Sequence, residues 1–192
     1  MSKTAFMLPV LFVAAMLTAA DAPAPAAMKA DPVHSCVLFR IRHMGASWTW
    51  GRFNEISADL SVDEAKPEAS SVSFTVKAES VDTGNAKRDQ HLKGPDFLNA
   101  RQFPDIAFRS TQVKAAGKDA CDVTGDLTLH GVTKSVTVRV VKVGQGKGMK
   151  GGELFGYETA FAVKRSDYGM TNMVGPVGDE VQLTVEIECG KP

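Results

Sequence analysis

The residues best suited to chemistry in this chain lie between Asp82 and Leu98. The segment gathers two carboxylates, a guanidinium and an imidazole, on Asp82, Arg88, Asp89 and His91. A His beside a carboxylate can act as a general base, and an Arg can stabilise developing negative charge. Residues one to three positions apart do not all share one face of a helix, however, and no Gly-x-Ser-x-Gly nucleophile elbow is present. We therefore expect no catalytic residues and predict that Arg88, Asp89 and His91 make structural contacts or hold a ligand head group.

The triplet Asp82-Thr83-Gly84 matches the active-site triplet of aspartic proteases. That chemistry requires two carboxylates that share one proton, whereas this triplet occurs once, so a homodimer would have to supply the second copy. A turn explains the same residues more simply, because the Asp side chain accepts backbone hydrogen bonds and Gly84 permits positive φ.

The remaining histidines and the cysteines show no ligand spacing typical of a metal site, since CxxC and HxxxH are both absent, and we predict no metal. These histidines are His34, His43 and His130. Cys121 and Cys189 share the parity of apolar neighbours on their strands, which favours a Cys121–Cys189 disulfide in an oxidising compartment. Three reduced thiols, including Cys36, are the alternative.

The N-terminal residues have the pattern of a secretory signal: Lys3, an apolar run from Ala5 to Leu17, and then small residues. We predict a signal peptide at 1–22, with cleavage between 20 and 27, and a flexible leader at 23–30. The folded domain is predicted at 31–190, in the periplasm. With 22 basic and 22 acidic residues, the chain lacks the basic excess expected of a nucleic-acid-binding protein.

Alternation of apolar and polar residues with a period of two runs through almost all of the domain and predicts about eight strands. We predict strands around 34–42, 52–62, 71–80, 106–108, 121–129, 134–143, 154–163 and 180–189. A single extended antiparallel, lipocalin-like β-barrel satisfies this pattern without exposed edges, with the first and last strands pairing to close it. Short helices are predicted within 85–100, broken at Gly94-Pro95. Irregular insertions are predicted at 44–50 and 165–178.

Motifs along nearly the whole domain resemble the YceI-like family of bacterial periplasmic proteins. They are His34-Ser35, Gly51-Arg52-Phe53, Val81-Asp82-Thr83-Gly84, Arg88-Asp89-x-His91-Leu92, Phe103-Pro104-x-Ile106-x-Phe108, Gly125-x-Leu127-Thr128-x-His130-Gly131-Val132-Thr133, Arg165-x-Asp167-Tyr168-Gly169-Met170 and Val177-Gly178-Asp179-Glu180. The resemblance implies a barrel with a long apolar tunnel that binds a polyisoprenoid, an isoprenoid quinone or a fatty-acid derivative. It implies no catalytic residues and no cofactor other than this bound ligand.

On this basis we predict a carrier whose tunnel and mouth are lined by apolar side chains. The predicted lining residues are Phe39, Ile41, Trp48, Trp50, Phe74, Val76, Phe97, Phe108, Leu127, Leu129, Phe155, Phe161, Met170 and Leu183. One alternative is a hydrolase or isomerase of lipid head groups that uses Asp89 and His91. Another is a stress-related partner of a membrane redox protein. Transient contact with a membrane or membrane protein, and a homodimer, are left open.

Overall fold

A computed structural model of the chain describes residues 25–190, so the predicted signal peptide lies outside the described residues. The strands are β1 Ala26–Ala30, β2 Cys36–His43, β3 Ser47–Phe53, β4 Ile56–Val62, β5 Ser71–Lys77, β6 Val81–Asp82, β7 Asp105–Gly117, β8 Ala120–Leu129, β9 Val132–Lys147, β10 Glu153–Lys164 and β11 Val177–Gly190. One α-helix, α1, spans Ala86–Lys93, and short 3₁₀ turns occupy Pro67–Ala69, Ala78–Ser80 and Arg165–Tyr168.

Eight of these strands form a closed antiparallel barrel, as the alternation predicts. The ring runs β1-β4-β5-β7-β8-β9-β10-β11 and returns to β1 through the pairs Lys29↔Gly190 and Ala30↔Cys189. Closure leaves few free backbone edges, which stabilises a strand-rich domain against edge-to-edge association.

The last strand, β11, pairs with β10 along one edge and with two strands, β1 and β2, along the other. Its C-terminal end pairs with β1, whereas its N-terminal part pairs with β2 from Val177↔His43 to Glu186↔Cys36. Strands β2, β3 and β6 then continue outward from β11 as an extension of the sheet. The predicted pairing of strands 34–42 and 180–189 is therefore present between β2 and β11, but β1, and not β2, closes the ring.

Two predictions of irregular chain are wrong. Residues 26–30, predicted as part of a flexible leader, form β1, because each residue from Ala26 to Lys29 pairs with a residue of β4. The predicted insertion at 44–50 contains most of β3. Its alternation is hard to read because Ser47, Thr49 and Gly51 precede the only large apolar side chain on their face, Phe53, which ends the strand. Met44 at φ 51° and Gly45 at φ 65° reverse the chain immediately before this strand.

The helix α1 begins and ends where the sequence predicts. Asn85 caps its N-terminus by accepting a hydrogen bond from the Arg88 backbone N–H at 3.0 Å. It ends at Gly94, directly before Pro95. Within residues 25–190, no helix has the length and apolar character needed to cross a bilayer.

Candidate functional site: the barrel interior and its helical end

The barrel interior is lined by rows of large apolar side chains that the strand register brings side by side. One row crosses β5, β7 and β8 through Phe74, Phe108 and Leu127. The other row crosses β10, β11 and β2 through Phe161, Leu183 and Phe39. Because side chains alternate between the two faces of a strand, Val76 and Ile41 share the inward face of these rows.

Glycines let two of the inward rings lie flat against the wall. A Cβ on Gly51 would lie 2.3 Å from Cζ of Phe39, and one on Gly125 would lie 2.5 Å from Cζ of Phe108. Neither distance is compatible with a real methyl group, so each glycine makes room for the neighbouring ring. The rings therefore cover the wall in places where a larger residue would force them away from it.

Many inward-facing side chains are only partly buried, although the wall surrounds them. Phe39, Phe74, Phe108, Phe161 and Leu183 each pack against a buried cluster yet keep some accessible surface. Their parity places these side chains on the inner face, while Phe39, Phe161 and Leu183 also border a groove along β2, β3, β10 and β11. Predicted residues Val76, Leu127, Leu129 and Phe155, in contrast, are fully buried within the clusters.

A few polar atoms lie among these apolar groups. Among the described residues, buried side-chain oxygen and nitrogen atoms without a hydrogen-bond partner are Thr159 Oγ1 and His130 Nε2. Thr159 has the inward parity of Phe155 and Phe161. Tyr157, two residues away on the same face, has its pKa raised to about 12, mainly by burial. The interior near β10 therefore carries hydroxyl groups in apolar surroundings.

One end of the barrel, which we call the helical end, is covered by α1 with the chain that follows it and by residues 165–178. Leu92 and Leu98 pack inward against the cluster of Val37, Phe53, Val76 and Val81. Leu98 also contacts the cluster that holds Tyr168 and Met170. The Arg165 guanidinium lies 5.8 Å from the ring of Phe97. The segment 82–98 is thus seated over the interior by apolar contacts.

Two of the three predicted head-group residues are engaged with Thr83. Asp89 Oδ1 accepts hydrogen bonds from the Thr83 backbone N–H at 2.8 Å and from its hydroxyl at 2.5 Å. Arg88 donates to Thr83 Oγ1 at 2.7 Å and to its carbonyl oxygen at 2.9 Å. Together these contacts fix the turn before the helix. In that turn Gly84 donates to Asp82, which lowers the pKa of this carboxyl.

His91 makes different contacts from Asp89. Its Nε2 lies 3.1 Å from Asp96 Oδ2, and its ring meets the ring of Phe97 edge-on at 5.0 Å. Arg88 and His91, together with Asn85 and Lys87, line a shallow open cavity of about 330 Å³ on the outside of the helix. The structure therefore brings Arg88 and His91 to one surface but does not join Asp89 and His91 as a hydrogen-bonded pair.

Arg165 organises the second half of the helical end. Its side chain is only 3% exposed and donates to the carbonyl oxygens of Met170 at 2.8 Å, Asn172 at 2.7 Å, Gly178 at 2.9 Å and Val177 at 3.1 Å. A buried guanidinium with its donors satisfied by backbone carbonyls holds an irregular segment in place. Sequence reasoning missed this role, although Arg165 opens one of the motifs that it singled out.

The tryptophans do not face the interior, contrary to the prediction that they line the mouth. The β2–β3 register pairs Trp48 with Arg42 and Trp50 with Arg40, on the face opposite Phe39. The Arg40 guanidinium carbon lies 4.5 Å from the Trp48 ring centroid and 5.2 Å from that of Trp50. Their apolar character suggested an inward position, but β3 turns this face outward. Phe97 and Met170, also predicted at the mouth, are buried at the helical end.

The predicted Cys121–Cys189 disulfide is also wrong, since all three cysteines are free thiols. Cys121 lies on β8 and Cys189 on β11, and β9 and β10 separate these strands in the sheet. Strand parity predicted that both side chains lie on the inner face, but it gives no information on how many strands separate them in the sheet. Burial raises the pKa of the Cys189 thiol to about 11, and this residue is fully buried beside Met28.

A polar cluster marks the seam where β11 meets the chain between β1 and β2. His34 Nδ1 lies 2.9 Å from Asp31 Oδ2 and 3.6 Å from Glu188 Oε1. The hydrogen bond with Asp31 raises the pKa of His34, and the same bond lowers the pKa of Asp31. The buried Ser35 accepts from the Glu188 backbone N–H at 3.0 Å. The sequence placed His34 in a motif but gave no sign that it meets Glu188.

These features define the class of protein: a closed antiparallel β-barrel built around an apolar interior, with a helical insertion seated over one end. The chain belongs to the YceI-like family, whose domain model matches residues 28–189. A UPF0312 protein of Pseudomonas aeruginosa is 44% identical over 155 residues, which cover 81% of each chain.

Solved structures share the same architecture. BcnA of Burkholderia cenocepacia is 28% identical and superposes with a TM-score of 0.75, covering 83% of this chain and 98% of that protein. A polyisoprenoid binding domain from Saccharophagus degradans, described as implicated in plant cell wall breakdown, superposes with a TM-score of 0.68. It covers 87% of this chain and 99% of that domain at 16% identity, a likeness of fold alone.

Proposed function

We propose that this protein is a periplasmic carrier that holds a long-chain amphiphile, such as a polyisoprenoid, an isoprenoid quinone or a fatty-acid derivative, inside its barrel. One observation carries the proposal: large apolar side chains such as Phe39, Phe108 and Leu183 share the inward parity of a closed barrel wall, so the barrel surrounds an apolar interior. A concave site lined mainly by apolar side chains is suited to an apolar guest. The shared fold with a domain described as polyisoprenoid-binding supports the same ligand class.

Burial of the ligand chain supplies the driving force for binding. Covering several hundred Å² of apolar surface contributes on the order of 10 kcal/mol gross at about 25 cal/mol per Å². Ordering a flexible chain and losing its overall freedom offset much of this gain. The protein needs no chemical step for this function, and its interior is suited to a guest that is mostly hydrocarbon.

The helical end then acts as a cover, in this proposal. Leu92 and Leu98 close it with apolar contacts, while Arg88 and His91 face the shallow outer cavity. A ligand head group that emerges beside α1 would meet these two side chains, the guanidinium of Arg88 and the imidazole of His91. The competing reading, a hydrolase that uses Asp89 and His91, gains no support from the geometry, because Asp89 is bound to Thr83 and His91 to Asp96.

Organic extraction and mass spectrometry of the protein purified from its native compartment test the proposal directly. A matched pair of variants makes the test specific to the interior. Val185 faces inward, whereas the adjacent Glu186 is exposed on the outer face. We expect Val185→Trp to fill the interior and lower the amount of extracted lipid several-fold, with Glu186→Trp unchanged. Circular dichroism checks that both variants fold.

Native protein that carries no long-chain lipid, and that takes none up from added polyprenol or fatty acid, would contradict the proposal. An equal loss of lipid in both variants would contradict the interior as its location.

A further inference from the structure

Exposed apolar and cationic side chains gather on the outer face of β2 and β3 and on the tips beside it. We call this surface the outer patch; it consists of Arg40, Arg42, Met44, Trp48, Trp50, Met173 and Val174. Trp50 is 55% exposed and Met44 is 63% exposed. The function proposed above assigns no role to these residues, since none faces the barrel interior.

Tertiary contacts bring the two tips of the patch together. The Met44 backbone N–H donates to the carbonyl oxygen of Pro176 at 2.7 Å, which ties the β2–β3 turn to residues 165–178. Met173 and Val174, in that second tip, are 45% and 44% exposed. Two loops distant in sequence thus present apolar side chains at one end of the barrel.

A groove of about 510 Å³ lies against this face. Its lining residues all come from β2, β3, β10 and β11, and seven of the ten share the outward parity of Arg40 and Trp50, so the groove is on the outside of the barrel. The other three are the inward-parity residues Phe39, Phe161 and Leu183, which lie between them along the strands. Leu38, Ala160, Ala162 and Thr184 form a floor of small or apolar residues. Trp50 and Arg40 also line it, and Arg40 is oriented by a 2.8 Å hydrogen bond to Gln182.

Charge on this face is graded along the strands. Arg40 and Arg42 stand beside the tryptophans, and Lys164 lies opposite Glu180 across the β10–β11 pair. Glu158 and Glu186 lie opposite each other further from the tips. On this face, the end that carries Met44 and Met173 therefore holds the cations Arg40, Arg42 and Lys164 against one carboxylate, Glu180.

We propose that the outer patch docks the protein onto the surface of an anionic phospholipid bilayer. Tryptophan and arginine side chains suit the boundary between water and lipid, because each combines an apolar or weakly hydrated body with a polar group. Arginines gain attraction from anionic head groups, while methionine side chains adapt to an irregular apolar surface. Docking rests on the proposed carrier function, because a carrier of a long-chain amphiphile must reach the membrane that holds its ligand. The outer patch is the surface that would make this contact.

The two tryptophans of the chain both lie in the patch, so intrinsic fluorescence reports on docking. Purified protein is mixed with vesicles of phosphatidylcholine alone or of equal parts phosphatidylcholine and phosphatidylglycerol. We expect a blue shift and quenching by brominated lipid on the anionic vesicles, both weakened by salt. The single-tryptophan variants Trp48→Phe and Trp50→Phe assign the signal to each ring.

Sedimentation with the anionic vesicles measures the partition coefficient. Trp50→Ala is expected to lower it about tenfold, for roughly 60 Å² of apolar surface no longer buried. Arg40→Ala and Arg42→Ala are each expected to lower it about fivefold on anionic vesicles and to leave neutral vesicles unchanged. The matched control is the β9–β10 hairpin at the other end, which exposes Met149 fully between Lys147 and Lys150. Met149→Ala should have no effect.

Absence of a fluorescence change on anionic vesicles would overturn the docking proposal, as would binding that depends on Met149 and not on Trp50. Self-association that buries Trp50 in solution, measured by ultracentrifugation, would overturn it in favour of an interface between copies. Lipid extraction from the same preparations keeps the two proposals apart: a lipid-loaded protein that fails to dock refutes docking alone.

Discussion

Replacing Gly51 by Ala tests whether the space left by a glycine sets the position of the neighbouring ring and so the shape of the barrel interior. The added Cβ would lie 2.3 Å from Cζ of Phe39, and 2.8 and 2.9 Å from its two Cε atoms. Carbon atoms pack at about 3.5–4.0 Å, so the ring must move by roughly 1 Å or more. Its free direction is inward, away from β3. We expect a loss of about 1–3 kcal/mol in the free energy of unfolding, typical of overpacking.

Urea unfolding measures this loss, and lipid extraction measures its effect on the interior. Gly144→Ala is the matched control, because a Cβ there meets nothing within 4 Å and its φ is not positive. The double variant Gly51→Ala/Phe39→Leu removes the colliding ring. If the collision causes the loss, the double variant should be less destabilised than the sum of the two single variants.

Two results would refute this reasoning. Additive effects of Gly51→Ala and Phe39→Leu would show that ring and methyl group do not meet. An equal loss of stability in Gly144→Ala would show that the cost is that of any alanine in these strands. Unchanged lipid capacity in Gly51→Ala, despite lower stability, would show that the position of the Phe39 ring beside Gly51 does not affect ligand binding.

Three further outcomes follow from contacts at the ends and seam of the barrel. Arg165→Ala should lower the free energy of unfolding by about 3–5 kcal/mol, since four carbonyl acceptors lose a buried donor; a urea-measured loss below about 1 kcal/mol would contradict this role. His34→Gln should lower the melting temperature most between about pH 4 and 6.5, where both partners of the Asp31 pair are charged. The contribution of His34 to stability is complete below its ordinary pKa and is lost as pH rises through its raised pKa. The contribution of Asp31 to stability is lost as pH falls through its lowered pKa. A difference in melting temperature that is independent of pH would disprove the pairing. Iodoacetamide at about pH 8 should modify Cys189 more slowly than Cys36 in the native protein; finding Cys189 in a disulfide by intact mass would refute the free thiol.

The alternation of side chains was sufficient to predict the barrel because a closed wall needs one apolar face on every strand. Phe39, Phe74, Phe108 and Leu183 all lie inward as their parity requires. β3 escaped prediction because its inward face holds Ser47, Thr49 and Gly51 before Phe53 at its end, and the large apolar residues Trp48 and Trp50 lie on its outer face. β1 escaped because alanine-rich chain before a domain has no signal of its own, and only pairing with β4 makes it a strand.

The site was less predictable because side-chain partners depend on the folded register. Arg88, Asp89 and His91 are close in sequence, and this suggested one constellation. The helix instead directs Asp89 to Thr83 and His91 to Asp96. Arg165 acts on four carbonyl groups of a segment without regular structure, and no spacing rule encodes such contacts. The outward position of Trp50 likewise follows from pairing with Arg40 rather than from its apolar character.

The double pairing of β11 has a consequence for how this barrel forms. Lys29 and Gly190 lie at opposite ends of the domain sequence, yet their pairing closes the ring. Contacts between residues so far apart in sequence form late, because the entropy of closing a long loop must be overcome first. The pairing of β2 with β11 joins residues almost as far apart, so until the two ends of the domain meet, the strands from β4 to β10 can exist as an open, curved sheet with its apolar face uncovered. A lipid that reaches this open sheet is enclosed when β1 and β11 join. Loading during folding would therefore need no gate in the finished barrel.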